Sequence, residues 1–257
     1  MRRLFFAARG RSGIVHAARS RSSPWTTSIS NCVPLWRGLI AMSPDIVSRP
    51  PQYGSISDWL GTEMVARLLN FAQTSRDQFK ASDVGYGESN KINLTIRRSS
   101  KLKQLGELEN ELQVRAQAAL PFMFEHLGYT PFNPARFELE MVAHGDGAFF
   151  SRHEDTVMRP EMTSYRAISA VYYFYRLPRS FSGGVLRLHS IGGKEGSFVD
   201  IEPTNDRLIF FPSWFPHEVM PVVCPSGRFE DSRFAINCWV YANQLPPNFN
   251  DDTGYVS

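Results

Sequence analysis

After Pro134 the apolar residues of this chain stop recurring every three or four positions and begin to alternate. A two-residue period belongs to extended strands that press one face against a core, so this switch restricts the fold more than any other feature. Phe137, Leu139 and Met141 alternate with Glu138 and Glu140. Strand-like runs follow at 149–155, 166–175 (RAISAVYYFY), 184–189 (GVLRLH), 197–201, 206–211 (DRLIFF), 217–223 and 232–241 (SRFAINCWVY). Gly183-Gly184, Gly192-Gly193 and Pro225-Ser226-Gly227 mark turns between them. With 137–142 these make eight short strands.

Upstream the period is helical. Thr62 is placed to cap a helix that carries Val65, Leu68, Leu69 and Ala72 on one face. Leu105, Leu108, Leu112, Ala116 and Leu120 mark a second helix, which Pro121 should kink or restart and Gly128 should end. Residues 74–103 between them are polar, contain Gly85, Gly87 and the pair Arg97-Arg98, and fit a weakly marked hairpin or a loop that gates a pocket. Helices first and eight strands after predict a mainly β (α+β) protein, a double-stranded β-helix or jelly roll buttressed by helices. The organisation that follows is a basic tail over 1–44, a helical support region over 45–136, a core over 137–243 and a C-terminal tail over 244–257. The Pro/Gly/Ser-rich stretch 43–56 serves as the entry loop.

The formal charge of +3 is unevenly spread. Residues 1–44 hold seven arginines and no acid, and the remainder has 21 basic against 25 acidic residues, a net of −4. A mildly acidic core argues against a nucleic-acid surface. The tail, Arg- and Ser-rich, has the composition of a mitochondrial transit peptide. It equally fits a gene-model extension ahead of a start at Met42, or a plain disordered extension. Cys32, Cys224 and Cys238 are odd in number and form no CxxC pair, so a disulfide framework is not expected. A reducing intracellular compartment is, whether cytoplasmic or, with a working transit peptide, mitochondrial. No apolar run reaches the length of a membrane span.

His153-Glu154-Asp155 puts an imidazole and a carboxylate two residues apart, on one face of a strand. His217 opens a later strand and supplies a second imidazole. Two histidines and one carboxylate make the facial triad that binds iron(II) and leaves positions open, and the lack of a thiolate disfavours structural zinc. The tripeptide alone is a weak signal. His144, just before the motif, and His189, at a strand end, are fallback ligands, while His16 and His126 fit ordinary surface or buried rings. In Arg233-Phe-Ala-Ile-Asn237-Cys-Trp239, alternation sets Arg233, Ala235, Asn237 and Trp239 on one face and Phe234, Ile236 and Cys238 on the other. An arginine in so apolar a strand needs an anion, and its planar fork suits a carboxylate. Arg228, in a Pro/Gly loop, is the rival anchor. Phe149, Phe150, Arg166 and Trp239 are candidates for the pocket mouth.

The stretches GDGAFFSRHEDT, RAISAVYYFY, FSGGVLRLHS, DIEPTNDRLIFFPS, HEVMPV and RFAINCWVY stand in one order across about 137–243. In that order they resemble the catalytic domain of the prolyl 4-hydroxylase family of Fe(II)/2-oxoglutarate dioxygenases, especially the oxygen-sensing prolyl hydroxylases and their bacterial relatives. The resemblance implies iron ligation by His153, Asp155 and His217. It implies 2-oxoglutarate binding by Arg233, with Tyr173 at the position of a co-substrate-bonding tyrosine and Asn237 where the family often has threonine. Two departures stand out: Ala143 and His144 occupy the place of a family tyrosine upstream of the motif, and residues 224–232 lengthen the loop before Arg233.

The activity so implied is hydroxylation of an aliphatic carbon with O2, releasing succinate and CO2, with ascorbate keeping the iron reduced. Asp155 favours hydroxylation over halogenation, which needs that coordination place free. A peptidyl or small-molecule substrate is expected, with neither nucleic acid nor membrane as a partner. Two alternatives remain: a non-catalytic jelly-roll binding or sensor protein, and a nucleic-acid demethylase of the same chemistry.

Overall fold

The computed structural model describes residues 50–85, 91–156, 163–191 and 197–243. The tail 1–44 (with His16, Cys32 and Met42), the first half of the 43–56 stretch, Gly87, Gly192-Gly193 and residues 244–257 lie outside these.

Every alternating run becomes a strand. Ahead of them stand β1 (Gly54–Ser57) and three strands from the polar segment, β2 (Lys80–Ala81), β3 (Arg97–Arg98) and β4 (Ser100–Leu102). The runs themselves give β5 (Arg136–His144), β6 (Phe149–His153), β7 (Tyr165–Phe174), β9 (Leu186–His189), β10 (Phe198–Ile201), β11 (Arg207–Pro212), β12 (His217–Val219), β13 (Val222–Val223) and β14 (Arg233–Ala242), and β8 (Ser182–Gly183) lies just ahead of the run at 184. The run 217–223 divides because Pro221 has no N–H to donate to a ladder. The run at 184 starts late because Gly183 and Gly184 both sit at φ +69° and turn the chain.

The strands form a seven-stranded sheet in the order β1-β11-β7-β14-β5-β4-β2 and a five-stranded sheet in the order β10-β9-β12-β6-β3, with β13 and β8 paired separately. The segment 74–103 therefore does more than bridge two helices. β2 and β4 extend the large sheet beside β5, and β3 edges the small sheet beside β6.

Two helices cover one face of the large sheet: α1 (Thr62–Thr74) and α2 (Glu107–Leu127). Thr62 is not the cap of α1. Gly61 holds that position, and the entering N–H groups of Leu60 and Gly61 donate to the Asp206 carboxylate at 2.9 Å each. Nor does Pro121 break α2. It lies on the exposed face, where water can satisfy the Gln117 carbonyl it leaves unpaired, and the helix runs on to Gly128, a left-handed C-cap at φ 63°.

The alternation of β14 sorts the interior into two layers. Phe234, Ile236, Cys238 and Val240 join Leu68, Leu112, Leu120 and Phe124 in the core between sheet and helices. Ala235 and Tyr173 instead meet Leu186, Leu188 and Ile201 of the small sheet in a second core between the sheets. Burying each such large apolar side chain stabilises by about 1.5–3 kcal/mol. Among the described residues no helix is long and apolar enough to cross a membrane.

Candidate active site

The site lies between the sheets. β6 and β12 are neighbours in the small sheet, and His153 stands directly opposite His217 across their antiparallel ladder. β6 ends at His153, so Asp155 is held by other means than the strand. Its backbone N–H donates to the Ser213 carbonyl at 3.0 Å, and its Oδ2 accepts the Ser169 hydroxyl at 2.6 Å. Ser169 in turn lies 2.8 Å from Ser213 Oγ. His153 Nε2 is 3.6 Å from Asp155 Oδ1 and His217 Nε2 is 3.5 Å from Asp155 Oδ2. One ligand atom from each of the three residues lies within 4.8 Å of the others, a spacing that can hold a metal ion.

The rest of each imidazole is already engaged. His153 Nδ1 lies 2.8 Å from the Ser151 carbonyl and His217 Nδ1 lies 2.9 Å from the Phe215 carbonyl. Each carbonyl takes the Nδ1 proton, which turns the Nε2 lone pair inward. Phe150 stacks on His153 at 3.5 Å between centroids, and Phe211 meets His217 edge-on. Burial, reinforced by the neighbouring His153, brings His217 down to about 4. Burial alone would raise the Asp155 carboxyl, but the His217, His153 and Arg166 charges outweigh it and hold it well below the usual carboxylate range. Near neutral pH His217 is therefore a neutral imidazole and Asp155 a carboxylate, the forms in which each binds a divalent cation. Nitrogen and oxygen donors without thiolate suit iron(II).

Arg233 faces the same cavity, as the alternation of β14 requires, and is 1% exposed. His144, opposite it on β5, lies 3.0 Å from one guanidinium nitrogen. Gly184 leaves room for it, since a Cβ there would come within 2.6 Å of Arg233 Cδ. The guanidinium carbon stands 4.7 Å from the centroid of the Tyr173 ring. Burial raises the Tyr173 hydroxyl, and the Arg233 guanidinium beside it works the other way. Tyr173 Oη and Arg233 Nε are left sealed and without partners. A buried cation beside an unpartnered hydroxyl on the cavity wall fits an anionic ligand.

The other candidates sort cleanly. Phe150, Trp239 and Asn237 line the cavity. The Asn237 amide donates to Glu140 at 3.3 Å. Arg166 does not line it. It stacks over Trp239 with its guanidinium carbon 3.9 Å from the ring centroid and pairs with Glu138 at 3.0 Å. Phe149 does not line it either. His189 bonds Glu218 instead of joining the ligands, and Arg228 is exposed and tied to Asp231 in its own loop.

Arg97, in the polar segment, was not anticipated in the site. It lines the cavity, lies 4.7 Å over the Phe150 ring and pairs with Glu140 at 3.1 Å. Glu140 is only 3% exposed, so the acidic face of β5 turns inward and is matched there by Arg97 and Lys101. The available signal was an isolated basic pair beside an acidic strand, which does not identify its own partner.

Comparison with known proteins agrees with this geometry. Residues 139–241 match the family model described as the 2OG-Fe(II) oxygenase superfamily. An uncharacterised PKHD-type hydroxylase of Synechocystis is 35% identical over 197 residues, 74% of this chain, and the match spans 63% of that protein's length. A prolyl-4-hydroxylase of Pseudomonas putida superposes with a TM-score of 0.55 at 22% identity, covering 75% of this chain and 94% of that one. A Trichoplax adhaerens prolyl hydroxylase, solved with a peptide fragment of the hypoxia-inducible-factor oxygen degradation domain, gives 0.56 at 22% identity over 74% and 84%. Residues 139–241 thus match a 2OG-Fe(II) oxygenase domain, the chain is similar to a PKHD-type hydroxylase, and its fold is the jelly roll of the prolyl 4-hydroxylases.

Proposed function

We propose that this protein is an Fe(II)- and 2-oxoglutarate-dependent dioxygenase that hydroxylates an aliphatic carbon, prolyl or similar, and releases succinate and CO2. The observation that carries this is the convergence of His153, Asp155 and His217 on one point of a cavity whose wall also bears the buried Arg233. His153 Nε2, His217 Nε2 and the Asp155 carboxylate would hold the metal. When bound, iron with 2-oxoglutarate and O2 supplies the oxidising chemistry. The chain's own part is positioning. Ser169 fixes the Asp155 carboxylate, and the Ser151 and Phe215 carbonyls fix the two rings. Arg233 and Tyr173 would take the distal carboxylate of 2-oxoglutarate, with Asn237 in the wall beside them. Phe150 and Trp239, which line the cavity, would keep water from the reacting carbon.

The substrate is a peptide or a small molecule. The peptide seen in the Trichoplax relative supports the first, and the cavity admits the second. Ascorbate would maintain the reduced metal. Incubation with iron(II), 2-oxoglutarate and a panel of proline-containing peptides and free amino acids should yield succinate together with a product heavier by one oxygen. Absence of succinate across the panel, from protein shown to bind iron(II), would overturn the assignment.

A further inference from the structure

Beside Arg233 the cavity wall carries a titratable group to which the metal centre gives no role. His144 closes β5, is 5% exposed and lines the cavity. Its Nδ1 lies 3.0 Å from Arg233 NH1. A guanidinium nitrogen can only donate, so Nδ1 must be the acceptor and bears no proton. The ring's one proton then sits on Nε2. Among the described residues Nε2 makes no hydrogen bond, and it is not one of the side-chain atoms sealed from solvent, so it opens on the cavity. Burial and the Arg233 and Arg97 charges all depress its proton affinity, which keeps the ring neutral. An N–H that opens on the cavity beside a buried guanidinium is placed to donate to an anion entering there.

We propose that His144 is a co-substrate-binding residue, holding Arg233 through Nδ1 and donating Nε2–H to the distal carboxylate of 2-oxoglutarate. The proposal rests on the reading of the site as a 2-oxoglutarate pocket. The carboxylate would then meet a cation from Arg233, a hydroxyl from Tyr173 and a ring N–H from His144, three donors of different geometry around one anion. One ring nitrogen orients the guanidinium while the other touches the ligand. His144 thereby sets how far the carboxylate lies from the metal, and so which chain length of 2-oxo acid is accepted.

The two nitrogens can be separated by substitution. His144→Gln places an amide near Nε2 and keeps the donor; His144→Asn places an oxygen near Nδ1 and keeps only the acceptor; His144→Phe removes both. The test is calorimetric titration of the manganese(II)-loaded proteins with 2-oxoglutarate. Titration with 2-oxobutyrate, which offers the same chelating end and no distal carboxylate, serves as control, and melting curves confirm folding. His144→Gln should bind 2-oxoglutarate within about threefold of wild type, whereas His144→Asn and His144→Phe should lose about tenfold or more, as expected for a hydrogen bond to a charged group. All three should bind 2-oxobutyrate and manganese as wild type does. Affinity retained by Asn but lost by Gln would overturn the proposal and leave His144 as a prop for Arg233. Equal affinities in all three, or equal losses that extend to 2-oxobutyrate, would overturn it as well. Should His144→Phe fail to fold, the contrast between Gln and Asn decides alone. A wild-type protein that binds manganese but not 2-oxoglutarate would sink the co-substrate reading itself.

Discussion

The two faces of β14 were built by one alternating sequence for opposite purposes. Phe234, Ile236, Cys238 and Val240 point at the helices and join the apolar core there. Arg233, Ala235, Asn237 and Trp239 point at the cavity, where a guanidinium with an unpartnered Nε is kept almost wholly from water. The first face lowers the energy of the fold. The second stores unsatisfied polar groups that a ligand can satisfy, which makes it poor at stabilising and good at binding. Mutations on the two faces should therefore separate, one set reading out in unfolding and the other in ligand affinity.

The largest effect is expected on the helix face. Phe234 is fully buried and packs against Phe174 at 5.5 Å and Phe229 at 5.3 Å between centroids. Phe234→Ala should destabilise by about 3–5 kcal/mol, through lost burial and the cavity left behind. Denaturant unfolding measures this, and 2-oxoglutarate affinity of the folded fraction should not change. On the cavity face the signature inverts. Arg233→Ala should weaken 2-oxoglutarate binding by about 2–5 kcal/mol in calorimetry. Arg233→Met, which keeps the volume, should lose affinity equally while leaving stability unchanged or higher, because a buried cation is replaced by an apolar chain. A stability loss matching that of Phe234→Ala would erase the distinction between the faces.

The next effect concerns the metal. Ser169 donates to Asp155 Oδ2 at 2.6 Å and lies on the cavity side of β7, opposite Trp239. Removing an outer partner of a metal ligand usually lowers metal affinity by about 10–100-fold. Ser169→Ala should show that loss in titrations with iron(II) or manganese(II), with unfolding of the metal-free protein shifted by about 1 kcal/mol, as expected for one hydrogen bond. Unchanged metal affinity would remove Ser169 from the site.

How much of this could be read from the chain follows from the range of each interaction. Periodicity is local, so the eight runs and the two faces of β14 were legible, but the strand reading of His153-Glu154-Asp155 reached too far, since β6 ends at His153 and Asp155 lies beyond it. The position of His217 was legible as well, because its run begins with it. What escaped are partnerships set by tertiary packing. The entry to α1 is tied down by Asp206, 145 residues away from Gly61 in sequence, which no local rule for Thr62 could reveal. Glu140 looked like the solvent side of an amphipathic strand until Arg97, 43 residues earlier, was found paired with it inside. Arg97 entered the site by the same route, since β3 is only two residues long and leaves almost no periodic trace.

The contrast between faces recurs on β9 in weaker form, and there the smallest effect is expected. Leu186 and Leu188 enter the core between the sheets, while Arg187 and His189 turn outward. Arg187 grips Asp200 with two hydrogen bonds, of 2.7 and 2.9 Å, across the β9–β10 pair. Both side chains remain partly open to solvent, so screening and lost side-chain entropy offset most of the attraction. A double-mutant cycle with Arg187→Ala and Asp200→Ala should give a coupling of about 0.2–1 kcal/mol. The Arg187 hydrogen bond is the main cause that holds the Asp200 carboxyl below its ordinary value of 3.8. A carboxyl depressed in the folded state contributes stability above its unfolded value and loses it as pH falls through the folded one. The coupling should therefore be present at pH 6, fade below about pH 4, and shrink with added salt at either end. A coupling above about 2 kcal/mol, insensitive to salt, would mean that the outer face of β9 is shielded like the inner one, and the division between stabilising and binding surfaces would have to be redrawn.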